Sequence, residues 1–386
     1  MDAVLDNIAG RAGLGGVTLA AAYHHGRDIF PHNPRRKVHF LEGGTVFFQP
    51  DPSRYRGRTL QPIVSGLATE QDVLADLVTA AHARSLRVRA WTVFLHNYSL
   101  GEAHPECASR NVFGDAHLTD LCPSNPEVRS FAVALSADIA AKGVDLVVAE
   151  SLHFHGLEHG FHHERYFIEL GPLGRYLLGL CFCEHCLAAG RAHGVDVDHL
   201  QRATRQELER RFASDPATES AERADFEAFA EGELGGYLES RAGTVSSLVQ
   251  ECAEAASGFA FIDLSGAIKG YATGKPTGDP TPSIGWQFGI DAAAIGQVEA
   301  IGYASDHNRL RFDLDAYRSI VGDNKLSVIM RPMAPDCDSA ENLARKLEIA
   351  SEAGCSEVGF YHYGFMRLES LDLIRSALDT AGYPAR

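Results

Sequence analysis

The sequence lacks any apolar run close to the roughly 20 residues needed to cross a bilayer, so no membrane partner is expected. Its first residues, MDAVLDNIAGRAGLGG, have no basic start followed by an apolar stretch and do not read as a signal peptide. A cytoplasmic protein is therefore expected. Basic excess is absent as well, since 35 Lys and Arg face 51 Asp and Glu, a formal net charge of −16. Such a chain repels phosphate backbones, which argues against nucleic acid and for a neutral or cationic small molecule. No GxGxxG or Walker A loop follows an early strand, and no HExxH is present. Nucleotide-binding open sheets and the commonest helix-borne zinc site are thereby disfavoured. Nothing in the composition decides whether the protein forms a homo-oligomer.

What is present is a core. The chain is 45% hydrophobic over 386 residues, enough for one large domain. Eight short apolar segments end in polar or glycine-rich residues: 16–26, 38–50, 86–98, 144–156, 258–270, 300–308, 325–336 and 357–366. Helical patterns lie between most of them. Residues 69–85 open with a Thr cap, and 125–143 have Pro just inside the start and Gly just past the end; 339–354 and 368–382 behave alike. Buried strands alternating with amphipathic helices predict a parallel sheet covered by helices, and eight units predict a (β/α)8 TIM barrel over 1–386 as a single domain. A doubly wound open sheet is the alternative. Roughly a hundred residues separate the fourth and fifth strands. They predict a helix-rich excursion, 151–257, on the barrel rim, carrying most of a cysteine cluster.

In a barrel, chemistry sits where strands end. The expected ends present Tyr23 and His24; His96, Asn97 and Tyr98; Glu150, His153 and His155; Asp263, Ser265 and Lys269; Asp306; Arg331 and Asp336; and Tyr361 with His362. Rings for C–H faces, hydrogen-bonding groups for hydroxyls and carboxylates for proton transfer together suit a polyhydroxylated substrate. Tyr23, His24, His96, Asn97, His153, His155, Arg331, Tyr361 and His362 are the expected substrate-binding residues. Glu150 is the sharpest case, because it follows the buried run LVVA, where an ionised carboxylate is costly unless it has a purpose or a partner. Asp306 is the next carboxylate, although an Asp there also fits a helix N-cap. His153, His155, His159, His162 and His163 crowd the loop after Glu150. In extended chain His153 and His155 would point to opposite sides, so only one would face the mouth with Glu150.

Three of eight cysteines stand in LCFCEHC: Cys181, Cys183 and Cys186. Clustered thiols in a reducing compartment point to a metal, and a tetrahedral structural zinc needs a fourth ligand from Cys122, Cys107 or a histidine such as His185. The segment LCPSNPEVRSFAVALSADIA, then a strand ending in Glu, then LCFCEHCLAAGRAHGV resembles an arrangement in family 42 β-galactosidases. The resemblance implies a glycoside-hydrolase-like TIM barrel, a structural zinc on Cys122, Cys181, Cys183 and Cys186, and Glu150 as acid/base. It covers roughly residues 118 to 195. Two departures matter. Ala149 stands where that family has Asn, and the seventh strand, VIMRPMAPD, has no Glu at its end to act as nucleophile. The galactoside substrate is therefore not carried over.

These readings converge on a carbohydrate-active enzyme, expected to be a glycosidase using Glu150 with a second carboxylate such as Asp306 on a small saccharide. One alternative is a metal-dependent lyase, isomerase or epimerase on a sugar or polyol, its metal held by Glu150, His155 and His24 or Asp306. Another is a non-catalytic sugar-binding barrel.

Overall fold

The structure, a computed structural model, describes residues 1–157, 159, 165, 167–214, 227–263, 284–286, 293 and 295–383. Ser265, Lys269, His162 and His163 lie outside the described residues. Among these residues thirteen strands are numbered in chain order. The first five are β1 Gly16–Tyr23, β2 Gly26–Ile29, β3 Val38–Leu41, β4 Thr45–Val46 and β5 Ile63–Val64. Next come β6 Arg87–Val93, β7 Ala108–Arg110, β8 Ala116–Leu121 and β9 Leu146–Glu150. The last are β10 Phe259–Asp263, β11 Gln297–Ile301, β12 Lys325–Met330 and β13 Glu357–Phe360.

The fold is mixed α/β. Nine strands form one sheet in the order β13-β12-β11-β10-β9-β6-β1-β4-β5. Seven of them (β1, β6, β9, β10, β11, β12 and β13) run parallel and are neighbours in chain order. Seven of the eight predicted segments thus supply parallel strands. The second, 38–50, does not. Its first half, β3, pairs antiparallel with β2, and its second half, β4, pairs antiparallel with β1. The chain turns between them at Gly44, whose φ is +74° and where any Cβ would meet the Asn97 amide at 1.9 Å. The sixth strand also begins earlier than expected, at Gln297, because a buried charge, Glu299, interrupts its apolar pattern.

The sheet curls. Arg89 of β6 ion-pairs with Glu299 of β11 and, at 3.3 Å, with Glu357 of β13. Four strands separate β6 from β13 in the hydrogen-bonded order. In a flat sheet that would put them about 24 Å apart. The concave side therefore faces itself, and two apolar layers result. Trp91, Val93, Leu146, Val148, Ala260, Ile262, Ile301 and Ile329 pack inside the curl as a cluster of their own. The larger core lies between the outer face and the helices. Among the described residues the hydrogen-bonded order stays open between β13 and β1. A cavity of about 800 Å³ fills that seam, lined by both strands and by Trp91, Tyr23 and Tyr361.

Eleven α-helices are found among the described residues. Numbered along the chain, α1 is Asp2–Asp6, α2 Val73–His82, α3 Tyr98–Ala103 and α4 Pro126–Ala141. The segment after β9 carries α5 Gly171–Gly179, α6 Glu184–Ala192, α7 Val197–Ala213 and α8 Glu233–Glu254. The last three are α9 His307–Val321, α10 Ala340–Glu352 and α11 Glu369–Thr380. Helix α4 starts as predicted, with Pro126 at its first turn and the Asn125 side chain accepting from Glu127 N. Helix α2 starts later than predicted. Its cap is Asp72, accepting from Ala75 N at 3.1 Å, rather than Thr69. Helix α8 packs on α4 and leads into β10, so it serves as the crossover helix, with α5 to α7 inserted before it.

Arg89 is the interior's keystone: Glu299 is almost fully buried and also accepts from Ser327 Oγ at 3.0 Å. Arg89→Met should leave the buried Glu299 carboxylate without its cation, while Glu357 keeps Arg87 at 4.0 Å, and lower unfolding free energy by about 3–5 kcal/mol. Urea denaturation measures this; a loss below about 1 kcal/mol would show that the strands hold their curl without the pair.

Candidate active site

Strand alternation decides which way Glu150 points. Leu146 and Val148 of β9 belong to the interior cluster, so Glu150, two residues on, faces the same side. It is 5% exposed, and its carboxylate accepts a hydrogen bond from Trp91 Nε1. Burial pushes its carboxyl up to about 7, against the Trp91 bond and the charge of His159, which both pull it down. Tyr23, Tyr303 and Tyr361 surround it closely enough for its charge to add to the burial that raises their phenols. They remain neutral hydrogen-bonding groups. Arg331 stacks over the Tyr303 ring at 4.3 Å while its guanidinium holds the Asp336 carboxylate. The result is a carboxyl group able to gain or lose a proton near neutrality, inside a box of aromatic rings.

A second group sits at the rim. The peptide after Glu150 turns sharply, since Ser151 adopts φ +56°, a conformation rare for a residue with a side chain. That turn ends the alternation. His153 and His155 therefore do not diverge as extended chain requires; their ring centroids lie 4.8 Å apart. His153 is buried, with Nδ1 bonded to Phe154 O at 2.6 Å, and burial drops its imidazole to about 4. His155 stacks on His159, centroids 4.1 Å apart and planes 5° from parallel. The two Nδ1 atoms each stand 3.4 Å from Asp120 Oδ1. His96 packs edge-on to His159 at 4.3 Å and stacks on His24 at 4.9 Å. His24 in turn stacks on Tyr23 at 4.4 Å, which links the histidines to the box around Glu150.

Other expected site residues have structural duties. Asn97 caps α3, accepting from Leu100 N at 3.0 Å and donating to Gly44 O at 3.1 Å. Both ends of its amide are thus engaged within the fold. Asp306 is exposed and caps α9, accepting from Arg309 N at 2.7 Å. Its carboxylate is thus bound into a helix start instead of joining the groups around Glu150. His362, beside Tyr361, is largely buried, its imidazole dropped to about 4, and accepts from Gly364 N at 3.0 Å. Sequence reasoning overlooked Tyr303 and Asp120. Tyr303 continues the inward alternation of Glu299 and Ile301, and is found once the strand is begun at Gln297. Asp120 sits on a short ribbon, and only the bridge between His96 and Asp120 reveals its neighbours.

Beyond the rim, Cys122, Cys181, Cys183 and Cys186 are all buried and form one group able to hold a metal ion. Cys122 follows β8, Cys181 and Cys183 precede α6, and Cys186 lies in its first turn. The Cys122 sulfur is 3.5 Å from those of Cys183 and Cys186 and 3.8 Å from that of Cys181. Disulfides, at about 2.05 Å, are excluded. Sulfurs at the corners of a tetrahedron with 2.3 Å metal bonds stand about 3.8 Å apart, so the spacing fits a tetrahedral ion. Interaction with the neighbouring sulfurs, that of Cys122 above all, holds the Cys181 thiol well below its ordinary range. Arg110 N, 3.3 Å away, points at the same sulfur, and the α6 N-terminus adds positive potential for thiolates.

No family model matches this chain, and no curated protein matches it. Solved structures do. An α-L-fucosidase isoenzyme 2 from Paenibacillus thiaminolyticus aligns at TM-score 0.54 and 11% identity, over 98% of this chain and 46% of its own. The β-galactosidase of Marinomonas ef1 aligns at 0.53 and 10%, over 98% and 57%. That of Rahnella sp. R3 aligns at 0.51 and 11%, over 100% and 54%. The chain thus spans about half the length of these structures. At such identity the likeness is one of fold, and the fold this chain shares is one found in glycoside hydrolases.

Proposed function

We propose that this protein is a carbohydrate-active enzyme of glycoside-hydrolase type, built on a barrel of the (β/α)8 kind, in which Glu150 carries the proton. The observation behind it is a single one: a buried carboxyl at the end of a parallel strand, poised near neutrality, in an aromatic box. Glycosidic bond cleavage needs a group that protonates the leaving oxygen and then takes a proton back from water. A carboxyl titrating at about 7 has both forms available at neutral pH. The rings of Trp91, Tyr23, Tyr303 and Tyr361 offer flat apolar faces to a sugar, and the three phenols offer hydroxyl partners. Glycosidase structures of similar fold support the class of reaction, and the sugar and anomer stay open.

A two-carboxylate mechanism requires a partner for Glu150. Asp306 would have to release its helix cap to serve. Zinc is the ion proposed for the four cysteines, since four buried thiolates in tetrahedral array select a soft, redox-inert dication. It would fasten α6 to the strand before α4 and so steady the wall of the site.

Glu150→Gln should abolish turnover of any aryl glycoside the wild type cleaves, with the circular dichroism spectrum unchanged; a fully active variant sinks the proposal. As a general acid Glu150 must be protonated, so kcat/KM should fall as pH rises through about 7. Stability has the same sign. The folded pKa of about 7 exceeds the ordinary 4.5, so the folded state holds the proton more tightly. Relative to Glu150→Gln, the wild type should lose about 3 kcal/mol of stability between those two pH values, as paired urea titrations would reveal.

Asn caps helices as well as Asp. Asp306→Asn should therefore leave turnover and stability near wild type, whereas a large loss of kcat with stability intact would restore Asp306 as the second carboxylate. Metal analysis should find one tightly held zinc that disappears in Cys183→Ser/Cys186→Ser, along with much of the protein's stability. A zinc-free protein of undiminished stability would refute that site.

A further inference from the structure

The segment HGLEH, residues 155–159, contains two histidines four positions apart. A turn closed by His159 N to Gly156 O, at 3.1 Å, brings their rings into a parallel stack. Asp120 of β8 faces that stack. Its position is held by backbone bonds from Asn97 N to Thr119 O and from Leu121 N to Leu95 O, both at 2.9 Å. One ligand atom from each of Asp120, His155 and His159 lies within 4.8 Å of the other two.

Two observations indicate that this grouping is built to hold something. First, the His155 side chain is 3% exposed, yet neither of its ring nitrogens has a hydrogen-bond partner among the described residues. A buried imidazole in that condition is costly, and a buried polar group without a partner calls for an explanation. The geometry beside it supplies one: His155 Nδ1 stands 3.4 Å from Asp120 Oδ1, close but not hydrogen-bonded. Second, both separations from Asp120 suit coordination, and turning the half-exposed His159 ring out of its parallel stack would aim both Nδ1 lone pairs at one ion. Donors bound to one tetrahedral ion at about 2.0–2.2 Å stand about 3.3–3.6 Å from each other. The two Nδ1 to Oδ1 distances, both 3.4 Å, fall in that window.

We propose that Asp120, His155 and His159 bind a divalent transition-metal ion of the zinc class, in a second metal site separate from the four cysteines. The donor set selects the ion. Two imidazoles and one carboxylate are too nitrogen-rich for calcium or magnesium and lack the thiolates that favour the softest ions. Three protein ligands leave at least one position on the ion for water or another group. The His159 side chain is 36% exposed, so that position is reached from solvent on its side. His96 presents a further imidazole, its ring 4.3 Å from that of His159. An ion here would lie near the box around Glu150, since His96, packed against His159, stacks on His24, and His24 stacks on Tyr23. The proposal stands whether or not Glu150 cleaves glycosides.

The test uses the full chain reconstituted with cobalt(II). Total cobalt is counted by mass spectrometry, and absorption is recorded in the thiolate-to-metal band. The half-exposed His159→Gln should lose one equivalent of cobalt relative to wild type while the thiolate band keeps its full intensity. Asp120→Asn should do the same. Cys183→Ser/Cys186→Ser should show the converse, losing the band but retaining the other equivalent. If His159→Gln, with an unchanged circular dichroism spectrum, holds as much cobalt as wild type, the site does not exist. The same conclusion follows if its only loss is in the thiolate band.

Discussion

A guanidinium buried inside a parallel sheet must be paired, and here the only way to pair it is to bend the sheet. Arg89 reaches Glu299 and Glu357 from strands that a flat sheet would keep far apart. Desolvating Arg89 and Glu299 is expensive unless they meet with good geometry, so the pair disfavours every arrangement in which β6 and β11 do not converge, and the half-buried Glu357 draws β13 to the same guanidinium. All else in the interior follows from that convergence. Once the strands face one another, their alternating residues stack in layers: charges at the bottom, Trp91 with Ile329 and Val148 in the middle, Glu150 with its tyrosines at the top.

The same curl gives Glu150 its chemistry. On a flat sheet a glutamate at a strand end would meet water and titrate as an ordinary carboxyl. Enclosed by Trp91, Tyr23, Tyr303 and Tyr361 it loses water, and desolvation raises it to near neutrality. The excursion after β9 contributes from the other side. Its cysteines join α6 to Cys122, two residues beyond Asp120, and so tie the wall carrying the thiol cluster to the strand that faces the histidines. Two groups with metal-ligand geometry thus share one strand, one sulfur-rich and fully buried, the other nitrogen-rich and partly open.

Much of this was legible beforehand. Periodicity located seven parallel strands and the principal helices, because an apolar run between glycines and an amphipathic face of 3.6 period are local patterns. The Cys-x-Cys-x-x-Cys spacing announced a metal ligand set, and the buried run before Glu150 marked that residue as costly. The misses have physical causes. Segment 38–50 looked like one strand because its break depends on Gly44 meeting Asn97, a contact between residues far apart in sequence. The sixth strand was begun too late because Glu299 looks like a turn residue until Arg89 is placed opposite it. Asn97 and Asp306 are a different case: their side chains suit both a substrate and a helix cap, and in the fold each caps the helix whose unsatisfied N-terminus lies immediately beside it.

The sequence by itself determined the layer architecture, the spacing of three thiols and the inward direction of Glu150, since each depends on periods of two, three or four residues. Tertiary structure decided what those residues meet. Glu150 has a neutral-range carboxyl because four rings from four other segments exclude water from it. Cys122 completes the thiol group because β8 passes beside α6. Asp120 belongs with His155 and His159 because a bridge to His96 and a turn at Gly156 bring them together. These contacts link residues tens to hundreds of positions apart, and no local pattern in the chain encodes such distances.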